Sequence, residues 1–161
     1  MPARVRVVLC HAIRSVTVVL VALATLSLPI APAHAAYGPP IPVTMEVYAK
    51  GVKLAGAYGS LQFDDGNTKY AYSLAMCRES SYSQPNLWIS VNGGPRSLAW
   101  SGGGSPVSIP QCRYDAYLIS AEVQHGGVVA NVAFTLDGVH FSNQNVATYH
   151  SRTATFDNPY N

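Results

Sequence analysis

Hydrophobic and polar residues alternate in many short runs along the chain after residue 43. In residues 44–50, Met45, Val47 and Ala49 would share one face of an extended segment, and mostly polar residues would occupy the other face. The same two-residue period recurs in residues 69–77, 86–91, 117–123 and 128–136. Such alternation is typical of strands with one buried face. No stretch after Ala36 keeps the period of an amphipathic helix, so we expect about seven to nine short strands and very little helix.

Glycine-rich turn signals separate these runs and indicate the fold class. Asp65-Gly66-Asn67 and Asn92-Gly93-Gly94-Pro95 are typical of hairpin turns. Gly126-Gly127 and Asp137-Gly138 predict two further tight turns, which would make the last third of the chain a three-stranded meander. The pattern predicts an all-β, small single-domain β-sandwich of immunoglobulin-like or Greek-key type with one disulfide.

The first 35 residues have the three zones of a secretory signal peptide. Residues 1–14 carry three arginines and no acidic residue, residues 15–30 are uncharged and mostly apolar, and residues 31–35 have small residues at the A-x-A positions. The apolar run is shorter than the ~20 residues of a membrane-spanning helix. We therefore predict cleavage after Ala35 and a secreted, extracellular product without stable membrane association.

Export would change the charge of the functional chain. The full sequence has ten basic and eight acidic residues, and three of the arginines lie in the predicted signal. Seven basic residues would remain, none adjacent to another, against all eight acidic residues. The product has no basic patch of the kind that binds nucleic acid, so we expect no nucleic-acid partner.

Two cysteines, Cys77 and Cys112, remain after the predicted cleavage. An even pair in a small secreted domain predicts one structural disulfide, which the chain-entropy model values at about 3–4 kcal/mol. The pair has neither the C-x-x-C spacing of a redox motif nor a neighbouring histidine. A true immunoglobulin domain is not expected, because Cys112 follows Trp88 too closely and lacks a tyrosine two positions before it.

Motifs for catalysis are weak. The histidines after the signal are His125, His140 and His150, there is no Gly-x-Ser-x-Gly elbow, and the carboxylates are scattered. We therefore predict no catalytic residues, no cofactor and no enzyme activity, with an enzyme built from dispersed residues as a minor alternative. No zinc motif is present, although His140 and His150 would form a pair if the fold brought them together.

One turn is a candidate for calcium. Residues 64–68, Asp-Asp-Gly-Asn-Thr, cluster side-chain oxygens of the kind that a hard cation prefers. This segment resembles the acidic half of the calcium loop in βγ-crystallin domains, but Lys69 stands where that pattern has a hydroxyl residue. A plain hairpin turn without metal is therefore the stronger prediction.

The N-terminal segment and the aromatic residues indicate a binding surface. Residues 36–43 contain three prolines, which favour an extended arm ahead of a β-sandwich domain at residues 44–161. The ten tyrosines and two tryptophans exceed what one small core needs, and rigid rings make good contact surfaces. We expect the partner-binding residues to be Tyr37, Pro39, Pro40, Ile41, Pro42, Val43, Tyr82, Trp88, Trp100 and Tyr114, with Tyr160 also exposed.

Together these features favour a secreted, non-enzymatic module that binds another secreted protein, as an adaptor or accessory subunit of a secreted assembly. The arm, the sheet edges and the Tyr- and Trp-rich loops would make the contact, and the prolines favour an arm lying in a groove over strand addition. In general character the chain is similar to the small one-disulfide adaptor subunits of secreted toxin particles in filamentous bacteria.

Two alternatives remain open. One is an inhibitor of a protease or amylase that presents a disulfide-anchored loop at residues 102–113. The other is a carbohydrate-binding module that stacks Tyr82, Trp88 and Trp100 on a glycan.

Overall fold

A computed structural model describes residues 36–80 and 83–161, and the predicted signal peptide lies outside these residues. The described part contains nine strands and no helix, hence none that could span a membrane. The strands are β1 (Ile41–Ala49), β2 (Val52–Phe63), β3 (Lys69–Arg78), β4 (Asn86–Val91), β5 (Ser97–Trp100), β6 (Ser105–Val107), β7 (Ala116–Gln124), β8 (Asn131–Phe141) and β9 (Ala147–Asp157). The prediction of an all-β chain with one disulfide, joining Cys77 and Cys112, is confirmed.

The strands form two antiparallel sheets. The five-stranded sheet has the order β1-β2-β3-β7-β6, and the four-stranded sheet has the order β5-β4-β8-β9. Inward-facing residues of both sheets form one hydrophobic core, in which the Phe134 ring lies 5.8 Å from Tyr72 and 5.9 Å from Phe156. The predicted inner row of β1, Met45, Val47 and Ala49, is buried in this core.

Two predicted hairpin turns are confirmed. Asn92 and Gly93 connect β4 to β5 with φ angles of 54° and 69°, a left-handed conformation that asparagine and glycine tolerate best. The Asp65-Gly66-Asn67 segment connects β2 to β3, with Asn67 at a φ of 56°. Both turns therefore form where local sequence predicted them.

The predicted three-stranded meander is wrong. β7 pairs with β3 and β6 in one sheet, whereas β8 pairs with β4 and β9 in the other. Gly126-Gly127 therefore lies in a connection that crosses between the sheets and is not a hairpin turn. Two antiparallel strands separated by a Gly-Gly pair look alike in sequence whether they share a sheet or face each other across a core.

The tight turn predicted at Asp137-Gly138 is also wrong, because both residues lie inside β8. The Asp137 carboxylate accepts hydrogen bonds from the Trp88 indole N–H at 2.7 Å and the Ser151 hydroxyl at 2.6 Å. Gly138 is buried where the sheets approach closely, since a Cβ on it would lie 2.7 Å from the Leu54 Cβ. Asp137 and Gly138 therefore make contacts with other strands and do not form a turn.

Gly138→Ala is expected to lower the free energy of unfolding by about 1–3 kcal/mol, because the added methyl overpacks the contact with Leu54. Urea denaturation of the two proteins measures the loss. Gly127→Ala is the matched control, since a Cβ there has no neighbour within 4 Å. An equal effect of both substitutions would show that packing at Gly138 is not the cause.

Candidate functional site

The exposed segment between β6 and β7 is held in place along most of its length. We call residues 108–115 the pinned loop. Within the loop, the Cys112 N–H donates to the Ile109 carbonyl at 3.1 Å. At the end of the loop, the Arg78 N–H donates to the Asp115 carbonyl at 2.9 Å, and the Arg78 guanidinium pairs with the Asp115 carboxylate at 2.5 Å.

Three consecutive residues of the pinned loop are tied to β2 and β3 or to the residue that follows β3. Lys53 donates from Nζ to the Gln111 carbonyl at 2.8 Å. Cys112 is bonded to Cys77, and the Arg113 N–H donates to the Glu79 carboxylate at 3.1 Å. A backbone held at three successive positions has lost most of its freedom before any partner arrives.

An ion pair between the partly buried Lys53 and the buried Glu79 supplies two of these ties. Lys53 Nζ lies 2.9 Å from the Glu79 carboxylate, and the Glu79 side chain is only 2 % exposed. Lys53 also pairs with Glu46 at 3.4 Å and donates to the Tyr58 hydroxyl at 3.2 Å. The Tyr58 hydroxyl in turn donates to Glu46. The pair therefore sits in a connected polar network beneath the loop.

The network shifts the pKa of each of three groups. Hydrogen bonds from Tyr58 and Tyr48 lower the pKa of Glu46, and burial followed by the Glu46 hydrogen bond raises the pKa of Tyr58 to about 12. Burial alone would lower the pKa of Lys53, but hydrogen bonds with Glu79 and Tyr58 raise it above the ordinary lysine value.

These directions give the pH range of the network. The contribution of Glu46 to stability is present above the ordinary glutamate pKa of about 4.3 and is lost as the pH falls through its lowered value. The contribution of Lys53 is present below about pH 10.4 and is lost only as the pH rises through its raised pKa. Glu46 and Lys53 therefore both carry their charges at neutral pH.

The pinned loop presents an aromatic ring close to two cations. Tyr114 is 42 % exposed, and the guanidinium groups of Arg113 and Arg78 lie 5.3 and 5.9 Å from the centre of its ring. Two surface hollows flank the loop, one of about 440 Å³ on the side of Lys53 and one of about 240 Å³ on the side of Tyr117. The exposed ring borders the smaller hollow, and the neighbouring Arg113 borders the larger one.

The predicted N-terminal arm is shorter than expected and is not free. Ile41 and Pro42 belong to β1, where Pro42 is tolerated because β1 is an edge strand. Val43 was expected at a partner surface, but it is 1 % exposed and lies in the core. Residues 36–40 lie alongside the C-terminal end of β2, where the Gly38 N–H donates to the Phe63 carbonyl. Pro39 and Pro40 are exposed in this segment.

The aromatic candidates lie apart from one another. Trp100 was expected at the surface but is 7 % exposed, because it faces inward, packs against Tyr117 at 6.2 Å and donates to the Gly103 carbonyl at 2.5 Å. Trp88 lies on the outer face of the same four-stranded sheet, bonded to Asp137, with the Arg96 guanidinium 5.7 Å from its ring centre. Tyr82 lies outside the described residues. Of this set, only Tyr114 belongs to the pinned loop, while Tyr160 is 39 % exposed.

The Asp64 carboxylate stabilises the 64–68 turn by accepting hydrogen bonds from residues of that turn and from Lys69. Asp64 is fully buried and accepts hydrogen bonds from the Thr68 and Lys69 N–H groups at 2.8 and 2.6 Å and from the Thr68 hydroxyl at 3.1 Å. This is how aspartate stabilises a turn through its own backbone. These hydrogen bonds account for the buried position of Asp64 in a hairpin turn without a cation.

Other groups with ligand chemistry are few in the described ranges. His140 and His150 do come together, with their ring centres 6.5 Å apart. Across residues 36–80 and 83–161, the only cluster of three potential metal ligands is Cys77, Glu79 and Cys112, whose two sulfurs already form the disulfide. Neither arrangement offers an open ligand set.

Comparison with known proteins finds no matching family model, no similar curated protein and no similar solved structure. The assignment of residues to the candidate site is therefore based on the geometry of this structure alone. Sequence reasoning had singled out Cys77, Cys112 and Tyr114 but missed Lys53, Glu79 and Arg78. No local pattern marks those three, because their partners are distant in the chain.

Proposed function

We propose that this protein is a secreted, non-enzymatic protein-binding module, an adaptor or accessory subunit of a secreted assembly, and that the pinned loop is its binding element. The observation that carries the proposal is the fixation of Gln111, Cys112 and Arg113 by a lysine, a disulfide and a glutamate. A loop already ordered before binding loses little conformational entropy on association, which raises affinity.

The side chains on the loop support a protein partner. Tyrosine and arginine are enriched among the residues that dominate interface energies, and Tyr114 with Arg78 and Arg113 groups them in one patch. The two flanking hollows would receive side chains of the partner. A partly buried, charged network that holds an exposed loop also fits a loop with a binding role.

The same contacts argue for the loop over the N-terminal arm as the binding element. The arm is bonded to β2, so presenting it to a partner would first break those contacts. Secretion remains part of the proposal, and the disulfide is compatible with an extracellular protein. We further propose that the two sheets form a Greek-key sandwich. In each sheet, strands that are far apart in sequence are neighbours, β7 beside β3 and β8 beside β4.

Affinity capture from the producer's own culture medium tests the binding role. The baits are the mature protein and the double variant Arg113→Ala/Tyr114→Ala, compared at equal loading. We expect the wild-type bait to retain a partner that the variant loses, by 10-fold or more. Tyr149→Ala is the matched control, because Tyr149 is 65 % exposed but lies on β9 in the other sheet. Equal retention by all three baits would reject the pinned loop as the binding element.

A hydrolase inhibitor is the second candidate, and the fixed backbone of the loop favours it. Inhibitors that occupy an active site need an exposed segment that keeps one conformation, and residues 109–113 are held in this way. Assays against a panel of secreted proteases and amylases should then show stoichiometric inhibition that Arg113→Ala/Tyr114→Ala abolishes. No inhibition across the panel leaves the adaptor role as the proposal.

Carbohydrate binding loses support from the geometry. Trp100 is buried, and Trp88 lies apart from it, partly exposed with the Arg96 guanidinium over its ring, so the two rings do not form a shared stacking platform for a sugar.

A further inference from the structure

The first described residues are bonded on both sides to the turn between β2 and β3. The Ala36 nitrogen donates to the Asp65 carboxylate at 2.9 Å, and the Asp65 N–H donates back to the Ala36 carbonyl at 3.0 Å. Tyr37 forms a β-bridge with Asp64, which continues the β1–β2 ladder beyond Ile41. Ala36 thus lies beside a bridge that extends the β1–β2 pairing, and its nitrogen faces a carboxylate.

The corner around Ala36 is acidic. Asp64, Asp65 and Glu122 lie near Tyr37, and burial together with Glu122 and Asp64 raises the pKa of the Tyr37 hydroxyl to about 12. Lys69 pairs with Glu122 at 3.8 Å. None of the side-chain ion pairs within residues 36–80 and 83–161 includes Asp65. The Asp65 carboxylate therefore has a backbone donor but no cation beside it.

We propose that Ala36 is the N-terminus of the mature protein and that its α-ammonium group binds the Asp65 carboxylate. A signal peptidase would add water across the peptide bond between Ala35 and Ala36, leaving a carboxylate on Ala35 and an amine on Ala36. The amine takes up a proton at neutral pH. The neutral peptide N–H at 2.9 Å thereby becomes a charged donor, and charge-assisted hydrogen bonds are about twice as strong as neutral ones.

The position of the cut matters for this site. Retaining Ala35 would move the free amine one residue away, by ~3.8 Å, and leave a neutral peptide nitrogen at Asp65. Cleavage after Ala35 is also where the A-x-A residues predict it. The residues that follow are held as well, since Gln62 donates to the Gly38 carbonyl at 2.9 Å and the Tyr160 ring packs on Gly38. Cleavage would therefore add a charged contact to the hydrogen bonds that already hold the N-terminal segment against β2 and the turn that follows it.

Two measurements test this proposal. The intact mass of the protein purified from culture medium should correspond to residues 36–161 with one disulfide. The α-amine is then titrated by NMR, through the pH dependence of the Ala36 Cβ chemical shift. An unpaired α-amine has a pKa of about 7.7–8.0, and we expect a value at least about half a unit higher, a threefold gain in proton affinity.

Asp65→Asn should return the Ala36 pKa to the ordinary range, because the amide keeps an acceptor oxygen but removes the charge. Asp137→Asn is the charge-matched control, since Asp137 lies within β8 of the four-stranded sheet, where it bonds Trp88 and Ser151, and it should leave the value unchanged. If Asp65→Asn fails to fold, a protein that begins at Ala35 provides the same comparison. A different mature N-terminus, or an ordinary pKa in the wild-type protein, would overturn the proposal. Both outcomes are independent of the pinned loop and its partner.

Discussion

Removal of the disulfide by Cys77→Ala/Cys112→Ala is expected to lower the free energy of unfolding by about 3–4 kcal/mol. The bond joins residues 35 positions apart, and the chain-entropy model assigns about this value to the loop that it closes in the unfolded chain. Alanine is chosen because Cys77 is fully buried, and a serine hydroxyl there would add a desolvation cost of its own. Guanidinium denaturation of the oxidised protein and the variant measures the difference.

The loss of the bond should also loosen the pinned loop. The amides of Cys112 and Arg113 are hydrogen-bonded in the native loop, to Ile109 and Glu79, and we expect their hydrogen exchange to accelerate more than that of core amides in β8. Wild-type protein reduced with a phosphine serves as the control and should match the alanine variant. A stability loss below about 1 kcal/mol, or unchanged exchange at Arg113, would contradict a pinning role for the bond.

The strands could be predicted from sequence because their two faces meet different surroundings. In β1 and β3 the inner positions are apolar and buried against the other sheet, and the outer positions are polar or small. Hairpin turns could be predicted equally well where residues have a left-handed backbone conformation, such as Asn92 and Gly93, because that conformation favours asparagine and glycine. In both cases the cause of the structure lies within a few residues.

Strand order was not predictable in this way. Asp137 and Gly138 have the composition of a turn, but their roles depend on Trp88, Ser151 and Leu54, which lie on other strands. The Gly126-Gly127 connection likewise gave no sign of whether β7 and β8 share a sheet. A glycine is required where the two sheets approach closely, and an acceptor is required beside the Trp88 indole N–H. A short stretch of sequence does not distinguish these requirements from those of a turn.

The candidate site likewise contains some residues that could be predicted from sequence and others that could not. The disulfide and Tyr114 could be anticipated from residue type, since a cysteine pair and a loop tyrosine carry their chemistry with them. The lysine that holds Gln111 is 58 positions away from it, and the glutamate that holds Arg113 is 34 positions away. Single charged residues at such separations show no periodicity, so their pairing emerges only when β2, β3 and the loop come together.

Lys53→Met should destabilise the protein by about 3–5 kcal/mol, because it leaves the Glu79 carboxylate buried without its cation. The variant also loses the donor to the Gln111 carbonyl, so the pinned loop should loosen together with the fold. Lys69→Met is the matched control. Lys69 pairs with Glu122 at 3.8 Å at the surface, and removal of an exposed pair of this kind costs no more than about 1 kcal/mol.

A double variant separates the uncompensated charge from the loss of packing. Lys53→Met/Glu79→Gln removes both charges of the Lys53–Glu79 pair, and the glutamine oxygen can still accept the Arg113 N–H. The partly exposed Glu46 loses Lys53 equally in the single and the double variant. If the cost of Lys53→Met comes from the carboxylate, the double variant should be more stable than Lys53→Met alone, since neutral replacements of buried pairs are often tolerated. Urea denaturation at neutral pH gives the coupling between the two positions. A double variant at least as unstable as the sum of the two single variants would show that the aliphatic stem of Lys53, and not its charge, supports the loop.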